Sequence, residues 1–177
     1  MATELRIVHT ADLGPSLWTA MRALLYETFS RFSEDAFGNA LGGLHALVLD
    51  GGELVGHASV VQRRMLHGGR ALRTGYIEAV AVRADQRRRG HGAAMMAELE
   101  RVVRSAYQLG ALGASPAGAR LYAGRGWQLW RGPSSALTPD GIRRTQDKDG
   151  AIWVLPVAEP VDLSGELTAD WRAGSLW

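Results

Sequence analysis

The spacing of hydrophobic positions changes several times along the chain, and each change predicts an element. Residues 5–9 read as a short first strand. Over residues 15–30, Leu17, Met21, Leu24, Leu25 and Thr28 return at helical spacing, which predicts an amphipathic helix. Ser33 is placed to cap a second short helix, closed by Gly42 and Gly43. Residues 45–49 and 54–62 are apolar and flank Asp50-Gly51-Gly52-Glu53, a hairpin signal. A second glycine pair, Gly68-Gly69, leads toward residues 76–82, which read as a buried central strand. Three strands of an antiparallel meander are thus predicted.

A helical stripe follows at Met95, Leu99, Val102, Val103 and Ala106, running to about Tyr107. Residues 109–114 are small and apolar and suit a strand parallel to the central one, with the helix as crossover. Pro116 suits the first turn of another helix, running to Tyr122. Residues 127–130 and 152–157 read as strands, and residues 147–150 as a turn. The tail, residues 158–177, is too aromatic for a disordered extension. This pattern predicts a single mixed α/β domain over residues 1–177.

Between the central strand and the long helix the chain turns polar and basic: Arg83, Arg87, Arg88 and Arg89, then Gly90-His91-Gly92. A strand, a basic glycine loop and a helix start make an anion site. The first amides of a helix lack acceptors within it, and the helix dipole favours negative charge there. Glycine removes the Cβ that would hold a ligand off. The phosphate-loop pattern G-x-x-x-x-G-K-[ST] is absent, as is G-x-G-x-x-G after a strand.

Composition narrows the chemistry. Without cysteine there is no disulfide framework, thiolate metal site or cysteine nucleophile. His45, His57, His67 and His91 lack metal spacing and read as structural or surface groups, so no metal site is expected. No apolar run approaches a membrane span of about 20 residues, and the first residues do not resemble a signal peptide. A cytoplasmic protein without a membrane partner is expected. Net charge is +2 and the arginines gather at one loop. A nucleic-acid-binding module is therefore the less favoured alternative.

Arg87-Arg88-Arg89-Gly90-His91-Gly92 matches R/Q-x-x-G-x-G/A. After a strand, this resembles the pyrophosphate loop of the GCN5-related N-acetyltransferases. The resemblance implies a central mixed, mostly antiparallel sheet with helices on both faces. It implies a splayed strand pair that binds acetyl-coenzyme A, with coenzyme A as product. Val80, Ala81 and Val82 would then border the pantetheine, and Arg87, Arg88, Arg89, Gly90, His91 and Gly92 the pyrophosphate. The blocks His9-Thr-Ala-Asp-Leu, Gly56-His-Ala-Ser-Val-Val-Gln-Arg, Gly75-Tyr-Ile-Glu-Ala-Val-Ala-Val and Asp170-Trp-Arg-Ala-Gly-Ser-Leu-Trp narrow it further. In this order they resemble the aminoglycoside 2'-N-acetyltransferases over nearly the whole chain.

Amide formation from an amine and a thioester needs a base, a donor for the oxyanion and a proton for the thiolate. Glu78 is the candidate base, a carboxylate in an apolar strand whose pKa burial would raise. Tyr122 is the candidate acid, and the Val80 amide the candidate oxyanion donor. Taken singly, these also fit a salt-bridged glutamate, a core tyrosine and a ladder amide; the resemblance favours the catalytic roles for Glu78 and Tyr122. It also implies that Glu78 and Ala79 border the acceptor, and that the main-chain carboxylate of Trp177 contacts it. A homodimer is common in similar enzymes.

Broad-range members surround polycationic substrates with acidic residues. Alignment places Arg31, Ala36, Lys148 and Ser175 at such positions here, with Asp35, Asp147 and Asp149 one residue away. This favours an acceptor with one reactive amine and an anionic group. Kasugamycin, which carries a carboxylate on an amidine arm, fits, and kasugamycin-modifying members belong to the family. Arg31, Asp35 and Lys148 are the expected substrate contacts. A broad-range aminoglycoside enzyme, or one acting on a protein N-terminus or polyamine, is the alternative.

Overall fold

The computed structural model of the chain describes residues 3–158 and 160–177. The chain forms two compact units, one of residues 1–61 and 77–101, the other of residues 62–76 and 102–177. Two long strands and the long helix run through both.

In the first unit, strand β1 (Thr3–His9) pairs antiparallel with β2 (Leu44–Asp50), and β2 with β3 (Glu53–His67). Beside β3 runs β4 (Arg70–Val82). Both predicted hairpin turns are present. Gly51, Gly52, Gly68 and Gly69 all have positive φ, from 55° to 89°, as tight hairpins of this twist require. The glycine pairs therefore set where β3 begins and ends, but β3 and β4 are much longer than their apolar runs.

Helix α1 (Pro15–Thr28) starts with its proline in the first turn, where the missing N–H costs nothing. Helix α2 (Glu34–Asn39) is capped by Ser33, whose hydroxyl accepts from the Ala36 amide at 3.1 Å. It stops at Asn39, before Gly42 and Gly43. Met21, Leu24 and Leu25 of α1 pack with Phe37, Leu47, Leu49, Leu54 and Ala81 as the core of this unit. Leu25 is fully buried; truncation to alanine would cost about 2–5 kcal/mol.

Helix α3 (His91–Ala106) buries Met95, Leu99 and Val103 of its predicted stripe, while Val102 is half-buried and Ala106 exposed. In the second unit, β5 (Leu109–Gly113) is parallel to β4, as expected for a crossover. The pairing joins Thr74, Gly75 and Tyr76 to Leu109, Gly110 and Ala111, and no β4 partner continues it for Leu112 and Gly113. Gly75 and Gly110 are opposite one another. A Cβ on Gly75 would lie 2.7 Å from Tyr107 and 2.9 Å from Val103, and one on Gly110 3.0 Å from Val103 and Leu155. Helix and strand thus approach closely only because both positions lack side chains.

Helix α4 (Ala119–Ala123) is short and begins three residues after Pro116, which lies in a turn tied by the Ser115 hydroxyl to the Gly118 amide. The expected helix start at Pro116 is corrected accordingly. Strand β6 (Gln128–Leu129) keeps only two of the four expected residues. Three strands have no counterpart in the hydrophobic pattern: β7 (Ser134–Thr138), β8 (Gly141–Arg144) and β10 (Leu167–Ala169). Strand β9 (Ile152–Pro156) was expected. The order across this unit is β6-β9-β5-β4-β3-β10-β7-β8. Within the tail, β10 is antiparallel to β3 and parallel to β7. Buried Arg63 fixes it by donating to the Asp170 carboxylate at 2.7 Å and carbonyl at 2.9 Å.

Candidate active site

Glu78, Ala79, Val80, Ala81 and Val82 all lie on the last turn-free stretch of β4. Ala81 is buried in the core; the other four are half-buried. Ala79 interrupts the strand with φ 49°, a left-handed conformation that is uncommon for a residue with a Cβ. Such a position costs of order 1–3 kcal/mol and persists only where the surroundings hold it. It lies between the candidate base and the candidate oxyanion donor.

A chain of hydrogen-bonded side chains ends on Ala79. Its carbonyl accepts from His57 Nδ1 at 2.9 Å. His57 Nε2 meets His45 Nδ1 at 2.9 Å, and His45 Nε2 meets the Thr10 hydroxyl at 2.7 Å. Both histidines are 0% exposed. Of the two readings, structural or surface, His45 and His57 take the structural one: they are internal and paired. Burial pulls the His57 pKa down to about 3 and that of His45 to about 4, His45 also feeling His9.

The loop after β4 opens with Arg83, whose amide bonds the Val55 carbonyl and whose guanidinium joins Glu53 and Asp85. Arg87 donates from Nε to the Val82 carbonyl at 3.1 Å. That bond occupies part of a carbonyl expected to border pantetheine. Arg88 is itself left-handed, φ 62°, and Gly90 has φ 86°. Arg88 and Arg89 are exposed and form no ion pair among the described residues. Gly90 has open space where a Cβ would stand, and its carbonyl accepts the Ala94 amide of α3. The preceding amides of α3 have no acceptor within the helix. Open space, exposed arginines and these amides fit a pyrophosphate.

Arg31 lies exposed in the turn before α2, and Asp35 exposed in the first turn of α2. Those residues belong to the first unit, and Tyr122, Lys148 and Trp177 to the second. Tyr122 is buried on α4, edge-on to Trp127, and burial pushes its pKa up to about 12. The phenol keeps its proton at neutral pH, as an ordinary tyrosine also does. Lys148, in a 3-10 turn at Gln146–Lys148, pairs with Asp147 at 3.2 Å. The Trp177 indole donates to the Thr145 hydroxyl at 2.9 Å, and that hydroxyl meets Ser134 at 2.8 Å. Ser134 donates in turn to Asp149 at 2.9 Å.

Thr10 was not singled out by the sequence. The histidine pair is brought together by a register shift in the β2–β3 hairpin, where Val48 opposes Gly56 but Leu49 opposes Leu54, and no sequence signal marks it. No group of three or more metal-ligating side chains occurs among the described residues. No described helix is long and apolar enough to cross a membrane.

Residues 15–130 match the acetyltransferase (GNAT) domain. An aminoglycoside 2'-N-acetyltransferase of Mycolicibacterium fortuitum is 46% identical over 97% of this chain and 91% of its own length. Among solved structures, ElaA of Escherichia coli has a TM-score of 0.64 at 19% identity, covering 87% of this chain and 99% of its own. The E. coli GNAT protein YhbS, solved in complex with CoA, has a TM-score of 0.64 at 17% identity, covering 94% and 88%. These likenesses agree with the crossover, the glycine loop and the mixed sheet described above. The chain belongs to the GNAT acetyltransferase family and is an acetyl-CoA-dependent N-acetyltransferase.

Proposed function

We propose that the enzyme acetylates the 2'-amino group of an aminoglycoside, and that its preferred acceptor is kasugamycin. The observation that carries the aminoglycoside reading is the 46% identity, over nearly the whole of both chains, to an enzyme of that activity. Two cations support kasugamycin. Arg31 is exposed, without an ion pair among the described residues, and Lys148 stands at a second position where similar broad-range enzymes carry acid. A tri- or tetra-amine is repelled by such charges, whereas a carboxylate-bearing acceptor is not.

Acetyl-CoA supplies the thioester. Arg88, Arg89 and the first amides of α3 hold its pyrophosphate. Glu78, directly or through water, takes the proton of the attacking amine, so that the lone pair is available. The Val80 amide donates to the oxygen that gains charge. Tyr122 keeps its proton at neutral pH and delivers it to the departing sulfur. The substrate test is a mass-shift screen of kasugamycin, polycationic aminoglycosides, polyamines and N-terminal peptides, followed by kcat/KM. A gain of one acetyl mass on kasugamycin, with higher kcat/KM than on a polycation, is the expected result. Equal turnover of both overturns the kasugamycin reading, and acetylation of only peptides or polyamines overturns the aminoglycoside reading as well.

A further inference from the structure

The Thr10–His45–His57–Ala79 chain has a definite direction. A carbonyl only accepts, so His57 Nδ1 must carry the hydrogen in its bond to Ala79. A neutral ring then has a bare Nε2, which accepts from His45 Nδ1–H. His45 Nε2 is bare in its turn and accepts the Thr10 hydroxyl hydrogen. Thr10 itself receives the Gly42 amide at 2.8 Å. The Gly43 carbonyl, 3.2 Å from the same hydroxyl, competes for its one hydrogen, but it already accepts the Thr10 amide at 3.0 Å, whereas the bare His45 nitrogen is nearer at 2.7 Å, so each side-chain bond points toward Ala79. These protons are assigned by this logic. No Asp or Glu is bonded to either ring among the described residues, and burial keeps both rings neutral.

The chain ends on the one left-handed residue of β4, and that residue separates Glu78 from Val80. A regular strand would continue its alternation through this point. The left-handed residue breaks that alternation, so the directions of the Glu78 side chain and the Val80 amide depend on it. We propose that His57, oriented by His45 and Thr10, is a positioning residue for acetyl transfer, its bond to the Ala79 carbonyl holding the kink that aims Glu78 and Val80. This rests on the roles given to Glu78 and Val80 above. It assigns a purpose to two buried histidines.

His57→Leu removes the donor and keeps most of the volume. His57→Asn retains an N–H at the Nδ1 position, where it can still reach the Ala79 carbonyl. His57→Leu is expected to lower kcat roughly 10- to 100-fold, the scale of a misplaced reacting group, with acetyl-CoA affinity by calorimetry within about threefold of wild type. His57→Asn is expected to restore most of kcat. A purely structural histidine would lower stability and leave this split and rescue absent. Folded His57→Leu with kcat within about threefold of wild type overturns the proposal, as does an asparagine variant no better than the leucine one.

Nitrogen NMR of the wild-type enzyme needs neither a variant nor turnover. Both histidines are expected as neutral Nδ1–H tautomers at pH 7, and an Nε2–H tautomer at His57 overturns the proposal. If wild type acetylates no aminoglycoside, the substrate reading fails. The tautomers, with the Val80 amide shift expected in folded His57→Leu, still decide the present inference; an unmoved Val80 amide overturns it.

Discussion

Glu78 is half-buried on β4, next to a residue whose backbone conformation is held from outside the strand. Its proposed role makes a narrow prediction. Glu78→Gln keeps the shape and the acetyl-CoA site but removes the base, and is expected to lower turnover by about 10²–10⁴-fold. A loss below about threefold across pH would remove that role. Tyr122 makes the complementary case. Its phenol is buried and its pKa is pushed up to about 12, so it holds its proton throughout the working range. Tyr122→Phe is expected to slow proton delivery to the thiolate without weakening cofactor binding. Near-normal turnover with chemistry shown to be rate-limiting would exclude the acid role.

At the scale of elements, the junction of β4, loop and α3 is the proposed cofactor site. Gly90 has φ 86° and open space at its missing Cβ. Aspartate tolerates left-handed backbone better than most residues, so Gly90→Asp is expected to fold. It adds a negative charge where the pyrophosphate is proposed to lie, and binding should weaken strongly. Calorimetry of acetyl-CoA on the folded variant checks this, and unchanged affinity would remove the loop assignment. The β2–β3 hairpin carries a second, pH-linked effect. His57 and His45 have folded pKa values below 6.5, so the unfolded chain takes up protons that the folded chain refuses. Their stability contribution is complete above pH 6.5 and declines as pH falls toward 4. At pH 5 each histidine still neutral in the fold accounts for about 2 kcal/mol of loss. Melting wild type and His57→Asn from pH 7 to 5 isolates this share: the variant is expected to show the shallower decline. Parallel curves would mean that His57 is protonated in the fold.

At the scale of the whole molecule, selectivity is a question of charge. Net charge is only +2, so long-range attraction contributes little and individual cations matter more. A direct charge-assisted bond from Arg31 or Lys148 to an anionic arm contributes about 1.5–3 kcal/mol. Alanine at either contacting position is then expected to cost roughly 10- to 100-fold in kcat/KM for kasugamycin. Arg31→Asp combined with Lys148→Asp should abolish that activity and admit polyamine aminoglycosides, because the repulsion is gone. Wild-type preference for kasugamycin that neither alanine variant changes would show that other residues cause it.

The glycine pairs, the helical stripes and the basic loop are local signals, and local backbone preference was enough to locate both hairpins, α1, α3 and the parallel strand β5. The sequence thereby determined the order of these elements and the strand–loop–helix setting of the basic glycine loop. Pairing partners far apart in the chain were beyond it. Strands β7, β8 and β10 are short, and β10 exists because Leu167, Thr168 and Ala169 find Ser134, Ser135 and Ala136 more than thirty residues earlier. Nothing in the local composition of either segment announces the other. The histidine chain was decided in the same way. An unbroken hairpin closed by Asp50 and Glu53 would set His45 opposite Ala58 and His57 opposite Ala46, on opposite faces of the sheet. The observed shift between Val48 and Leu49 moves His57 opposite Leu47 and His45 opposite Ser59. Because side chains alternate with period two, that one-residue slip puts both rings on one face, where they can bond. The left-handed Ala79 was hidden for a related reason: an alanine carries no signal for positive φ, and only packing and the bond from His57 make that conformation worth its cost.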